Sequence, residues 1–160
     1  MTTSSVGYTS SGPSSRRGDV LLLALLTLLA LLLRAARLDF QPLWWDEGYS
    51  VWFAHQSIGD MLRLTALDIH PPLYYALLGA WSQVFGWGPV PLRWLSVAAG
   101  VAAVPLIYLV GDWLSGRRVG LVAAFLLAIN PLHIYYSQEV RMYALVALWS
   151  LLAIGAAGRW

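Results

Sequence analysis

The stretch from Val20 to Leu33 carries no charged residue, and it is the feature that most constrains the fold. Extended through Ala35, Ala36 and Leu38, it reaches the roughly 20 apolar residues that a helix needs to cross a bilayer. Inside hydrocarbon every backbone N–H and C=O must be satisfied within the protein, so a helical bundle is the architecture open to such a chain. Composition agrees. Of 160 residues, 59% are hydrophobic and only 11% charged, with a mean hydropathy of +0.63, where soluble domains run near 25% charged. A net charge of +2, scattered along the chain, excludes the basic face of a nucleic-acid binder. Cysteine is absent, which rules out disulfides and thiolate metal sites.

The expected fold is all-α: a polytopic membrane bundle of about four spans, with juxtamembrane helices in a long first external loop. Residues 1–18, rich in Ser, Thr and Gly and ending near Arg16-Arg17, read as a disordered cytoplasmic tail, and residues 19–160 as one membrane domain. A cleaved signal peptide is the rival reading of the first run. No small-x-small site follows it, however; Arg34 to Leu38 lead straight into Trp44-Trp45, an aromatic belt.

Residues 39–91 mix charges with breaks at Gly59, Pro71-Pro72 and Gly86 to Pro91, and read as the first external loop. Gly48–Gln56 and Ile58–Leu67 are expected to lie as helices in the interface, with Trp52, Phe53, Met61 and Leu64 toward lipid. Leu73–Trp87 is apolar but short and holds Ser82 and Gln83, so it is expected to be juxtamembrane. The positive-inside rule supports this placement. Leu92–Leu114 is a span ending at the basic turn Arg117-Arg118, which lies on the side of Arg16-Arg17 only if Leu73–Trp87 does not cross. Val119 to Asn130 or Ile134 then returns outward, residues 135–143 form a second external segment, and Ala144–Ala157 crosses back.

The polar residues with chemical potential fall in these two external segments. Asp46 and Glu47 are adjacent, so on a helix they point about 100° apart and cannot serve one substrate alike; one is expected to react and the other to support it. The plainer reading makes Asp46 a helix N-cap. In Asp68-Ile-His70-Pro71-Pro72 the prolines hold the backbone extended before a helix, fixing His70 where it can ligate a cation or meet a phosphate; the plainer reading is a solvated loop residue, which is also preferred for His55 and His133. Glu139 and Arg141, among Tyr135, Tyr136 and Tyr143, are either an interfacial ion pair or split between a cation and a phosphate, for which the Arg fork is suited.

The order Trp-Asp46-Glu47-Gly-Tyr, His70-Pro-Pro-Leu-Tyr-Tyr, Leu-Arg93-Trp-Leu-Ser, Gly-Arg117-Arg118-Val-Gly and Asn130-Pro-Leu-His-Ile-Tyr-Tyr-Ser-Gln-Glu139-Val-Arg141-Met-Tyr-Ala-Leu resembles the N-terminal part of the C-type superfamily of polytopic glycosyltransferases. That group includes protein O-mannosyltransferases and aminoarabinose transferases. The resemblance implies a multi-pass cell-membrane enzyme with a cytoplasmic N-terminus and an extracytoplasmic site. It would move a sugar from a polyprenyl-phosphate donor to a lipid, glycan or protein acceptor. Asp46 matches the catalytic Asp and Glu47 its neighbour; His70, Arg141 and Tyr136 fall in the substrate- or phosphate-binding regions, and Glu139 with His70 in those that would hold a divalent metal cation, the one cofactor implied. Members of the family have more spans and loops, so the 160 residues correspond to an amino-terminal portion expected to be inactive alone. The alternative class is a non-catalytic scaffold or lipid-head-group binder, for which acidic groups in both external segments have no use. A transporter fits poorly, because the charges lie outside the mid-span.

Overall fold

The computed structural model describes residues 13–67 and 70–158, which form eight α-helices and, among these residues, no strand. They are α1 (Pro13–Ala35), α2 (Trp45–Ala54), α3 (Ile58–Thr65), α4 (Pro72–Phe85), α5 (Pro89–Ser115), α6 (Arg117–Ile129), α7 (Pro131–Ser137) and α8 (Tyr143–Ala157). Prolines set many of the starts, at Pro13, Pro72, Pro89 and Pro131, where a missing N–H costs nothing. Of the tail expected over residues 1–18, the part to residue 12 lies outside the described residues, and α1 begins at Pro13.

The long helix α5 is the hub, packing on α1, α4, α6, α7 and α8. It turns into α6 through Gly116, whose φ of 86° lies in the left-handed region. The α5–α6 hairpin is closed by glycines: a Cβ on Gly120 would stand 2.5 Å from the Tyr108 carbonyl oxygen and one on Gly111 2.8 Å from the Gly120 Cα. Small residues let the two backbones approach, the usual means of helix association in lipid.

Helices α1 and α5 are long and apolar enough to cross a membrane, and α6 with α7, bent by 59° at Asn130-Pro131, counts as a third span if the pair is taken as one. Helix α8 is apolar but only 15 residues long, about 22 Å at 1.5 Å per residue. Leu21, Leu25, Leu28, Leu32, Leu109, Val122, Phe125 and Leu126 are exposed along these helices, an apolar surface suited to lipid rather than water. The chain is a helical membrane protein.

Leu73–Trp87 forms the 14-residue α4, short as expected. Arg117 pairs with Asp19, which brings the basic turn to the end of the bundle where α1 begins. The loop helices α2 and α3 form close to their expected bounds, but Phe53 and Met61 are not on the lipid side. Both are buried, at 2% and 3% exposure, in a cluster with Tyr74, Tyr75, Leu78 and Val140. Trp52, one position earlier and about 100° round the helix, keeps the outward face.

Candidate functional site

Asp46 and Glu47 lie in the first turn of α2, where the helix dipole favours negative charge. The N-cap is Trp44, so Asp46 is not the cap. Instead Glu47 Oε2 accepts the Trp44 N–H at 3.3 Å. Glu47 is wholly buried, and its charge is answered by Arg93 of α5. Arg93 Nε donates to Oε1 at 2.9 Å and Nη2 to Oε2 at 2.6 Å, a two-pronged pair. The same guanidinium donates to the carbonyls of Leu38, Gln41 and Pro42, and Glu47 Oε1 also accepts the Val140 N–H at 2.9 Å. This pair joins the α1–α2 link, α2, α5 and the α7–α8 link. Every oxygen of Glu47 is occupied, as a structural rather than a reacting group requires.

Asp46 presents the opposite environment. Its side chain is 42% exposed, and Arg141 Nη2 stands 3.8 Å from Oδ2, longer than a hydrogen bond. Arg141 is itself buried and donates from Nη1 to the Asp46 carbonyl at 3.3 Å, while its own carbonyl accepts from Ser96 Oγ at 3.2 Å. The guanidinium lies 5.7 Å over the Tyr143 ring, and Tyr143 packs on Tyr136 at 4.4 Å. Tyr136 thus reaches this cluster through Tyr143.

Glu139 lies beside these groups and is not paired to Arg141 as a surface ion pair would be. It is buried, and its Oε1 has no hydrogen-bond partner among the described residues. Burial raises its carboxyl above the ordinary value; the Tyr135 hydroxyl bonded to it and Arg141 oppose the shift, and Glu47 and Asp46 add to it. The Tyr74 hydroxyl, near Ser96, is also buried without a partner among the described residues, and burial pushes it far up. Glu139 thus carries an unpartnered carboxylate oxygen in the field of Asp46, Glu47 and Arg141.

His70 stands two residues before α4 and is half-buried. Among the described residues, no three His, Asp or Glu side chains converge on a possible metal ion. The His55 ring stacks on Trp87 with centroids 3.5 Å apart, and His133 Nδ1 accepts from Arg34 at 2.9 Å, so both serve packing.

The family model for dolichyl-phosphate-mannose-protein mannosyltransferase matches residues 69–158, more than half of the chain. The chain belongs to this family. Its activity class is therefore glycosyl transfer of the mannosyltransferase type. The matched region holds His70, Tyr74, Arg93, Ser96, Glu139 and Arg141, and the Asp46-Glu47 pair lies upstream of it, joined to it by the contacts above. No curated protein and no solved structure gave a match.

Two further arginines, Arg93 and Arg34, are buried. Arg93 stands four residues into α5, and a charge so placed in an apolar span must find partners. Arg34, at the end of the first apolar run, is wholly buried.

Proposed function

We propose that the protein transfers a sugar from a polyprenyl-phosphate-linked donor to an acceptor hydroxyl on the extracytoplasmic side of the membrane, with Asp46 as general base. The observation that carries this reading is the contrast within one dipeptide. Glu47 is saturated by Arg93, Trp44 and Val140, while Asp46 is half-exposed beside a guanidinium.

The chemistry follows from those positions. The acceptor O–H gives its proton to the Asp46 carboxylate as its oxygen attacks the anomeric carbon, and the bond from that carbon to the phosphate oxygen breaks with inversion. The phosphate leaves with the bonding pair, and Arg141, fixed by Ser96 and the Asp46 carbonyl, faces the developing charge. Glu47 and Arg93 hold the α2 N-terminus so that Asp46 keeps its place. A divalent cation also suits a phosphate leaving group. The free Oε1 of Glu139 suits it as one ligand, His70 is proposed as a second, and donor phosphate oxygens would complete the set. The cation would supply charge neutralisation.

The bundle is proposed to have four spans, with α8 the fourth, and the ion-paired end at Asp19 and Arg117 in the cytoplasm, as arginines at both chain positions favour. The aromatic end with Asp46 then faces outward. The test is transfer of radiolabelled sugar from polyprenyl-phosphate mannose and related donors by membranes holding the full-length protein. Turnover of a lipid-phosphate sugar supports the reading; turnover of nucleotide sugars alone would refute it.

A further inference from the structure

The outer end of α1 and the break between α6 and α7 cap each other. Pro131 has no N–H, so the Leu127 carbonyl loses its i+4 donor and keeps only a long 3.4 Å bond from the Asn130 N–H, and the 59° bend carries the chain away from α6. Arg34 of α1 supplies what is missing: Nη2 donates to Leu127 O at 2.9 Å and Nη1 to Ala128 O at 3.0 Å. The same guanidinium reaches Ala30 O at 3.2 Å and His133 Nδ1 at 2.9 Å. In return Gln138, just past α7, places Nε2 at 2.9–3.2 Å from the carbonyls of Leu33, Arg34 and Ala36, the open C-terminus of α1. Gly100 of α5 makes room, since a Cβ there would lie 2.2 Å from Ser137 Oγ and 3.2 Å from Arg34 Nε.

The clasp ends where the reactive site begins. Two residues after Gln138, the Val140 N–H meets Glu47, and Arg141 follows with its contacts to Asp46. Three residues span at most about 10 Å, so Gln138 leaves Val140 and Arg141 almost no slack. Arg34 is wholly buried and pairs with no carboxylate among the described residues; the partial negative charge of the α6 C-terminus is its counter-charge. Burying such a group is costly.

From this we infer that Arg34 and Gln138 are positioning residues for glycosyl transfer: their reciprocal capping sets the register of residues 139–141 against Asp46. The inference rests on the reading of Asp46 as the base, and its test separates the two. Residues 1–160 hold no cysteine, so with any cysteine elsewhere in the full-length protein replaced, the thiol of the Val140→Cys variant is the single site of alkylation in membranes. In that background Arg34→Met raises the alkylation rate about tenfold by opening the buried strap. On the otherwise native chain Arg34→Met lowers kcat roughly a hundredfold, the cost of a misplacement near 1 Å, with KM for polyprenyl-phosphate mannose unchanged. Arg34→Lys, which can still donate to the carbonyls, restores most of kcat. Gln138→Glu, the same shape without donors, repeats the Arg34→Met result and serves if that variant does not fold. Unchanged kcat in either folded variant overturns the inference, as does unchanged alkylation. If the native chain turns over no lipid-phosphate sugar, the reading of Asp46 fails instead, and the alkylation rates alone decide the clasp.

Discussion

Arg93 and Glu47 hold each other through two hydrogen bonds of 2.9 and 2.6 Å with both side chains almost fully buried. Removing one partner leaves an uncompensated charge in a low-dielectric setting. Glu47→Ala is expected to cost about 3–5 kcal/mol, while Asp46→Ala, which breaks only a long, half-exposed contact, costs below about 1 kcal/mol. Thermal unfolding of the two variants in detergent measures the difference. Equal losses would contradict the division of roles between the neighbours.

Glu139 gives a pH dependence of known sign. Burial, its leading cause, raises its folded-state value above the ordinary 4.5, so the folded protein holds the proton where the unfolded chain has released it. Its contribution to stability is complete below the unfolded value and is lost as pH rises through the folded one. Stability of the native chain should therefore decline above pH 4.5 across that window, and Glu139→Gln should flatten the decline. A steeper decline in Glu139→Gln would show that the carboxyl is ionised in the folded state.

The glycine contacts separate two kinds of substitution. Gly120→Ala forces a methyl group to 2.5 Å from one backbone atom and 2.9 Å from another, and overpacking of this kind costs about 1–3 kcal/mol. Gly48→Ala in α2 meets nothing within 4 Å and should gain about 0.5–1 kcal/mol from reduced backbone entropy. Melting temperatures of the two variants moving in the same direction would contradict the tight α5–α6 hairpin.

Orientation is read by a thiol at the α5–α6 turn. The Ser115→Cys variant should resist an impermeant thiol reagent added from outside and react once the membrane is opened. Labelling from outside would place Asp19 and Arg117 on the external face and reverse the proposed topology.

Much of the fold was legible in the sequence, because length and apolarity mark the spans and prolines and glycines mark the breaks at Pro72, Gly116 and Pro131. Leu73–Trp87 reads as a short helix from its length, from Ser82 and Gln83, and from the positive-inside rule. The faces of helices were less legible. Lipid and core are both apolar, so periodicity does not say whether Phe53 or Trp52 turns inward. The site was half visible. Asp46, Glu47, Glu139 and Arg141 stood out as charges among aromatics, and the structure gathers all four near one another. Arg93, Arg34 and Gln138 were missed as organisers, since their partners lie 46 to 105 residues away and most are backbone carbonyls that no side-chain pattern reveals.

The most direct measurement is sugar transfer from polyprenyl-phosphate mannose by membranes holding full-length protein with Asp46→Asn, beside the native chain. The substitution keeps size and removes the base. Transfer should fall roughly a thousandfold, within the 10²–10⁴ range of a lost general base, while the melting temperature stays that of the native chain. Asp46→Asn turnover at the native rate would contradict the account.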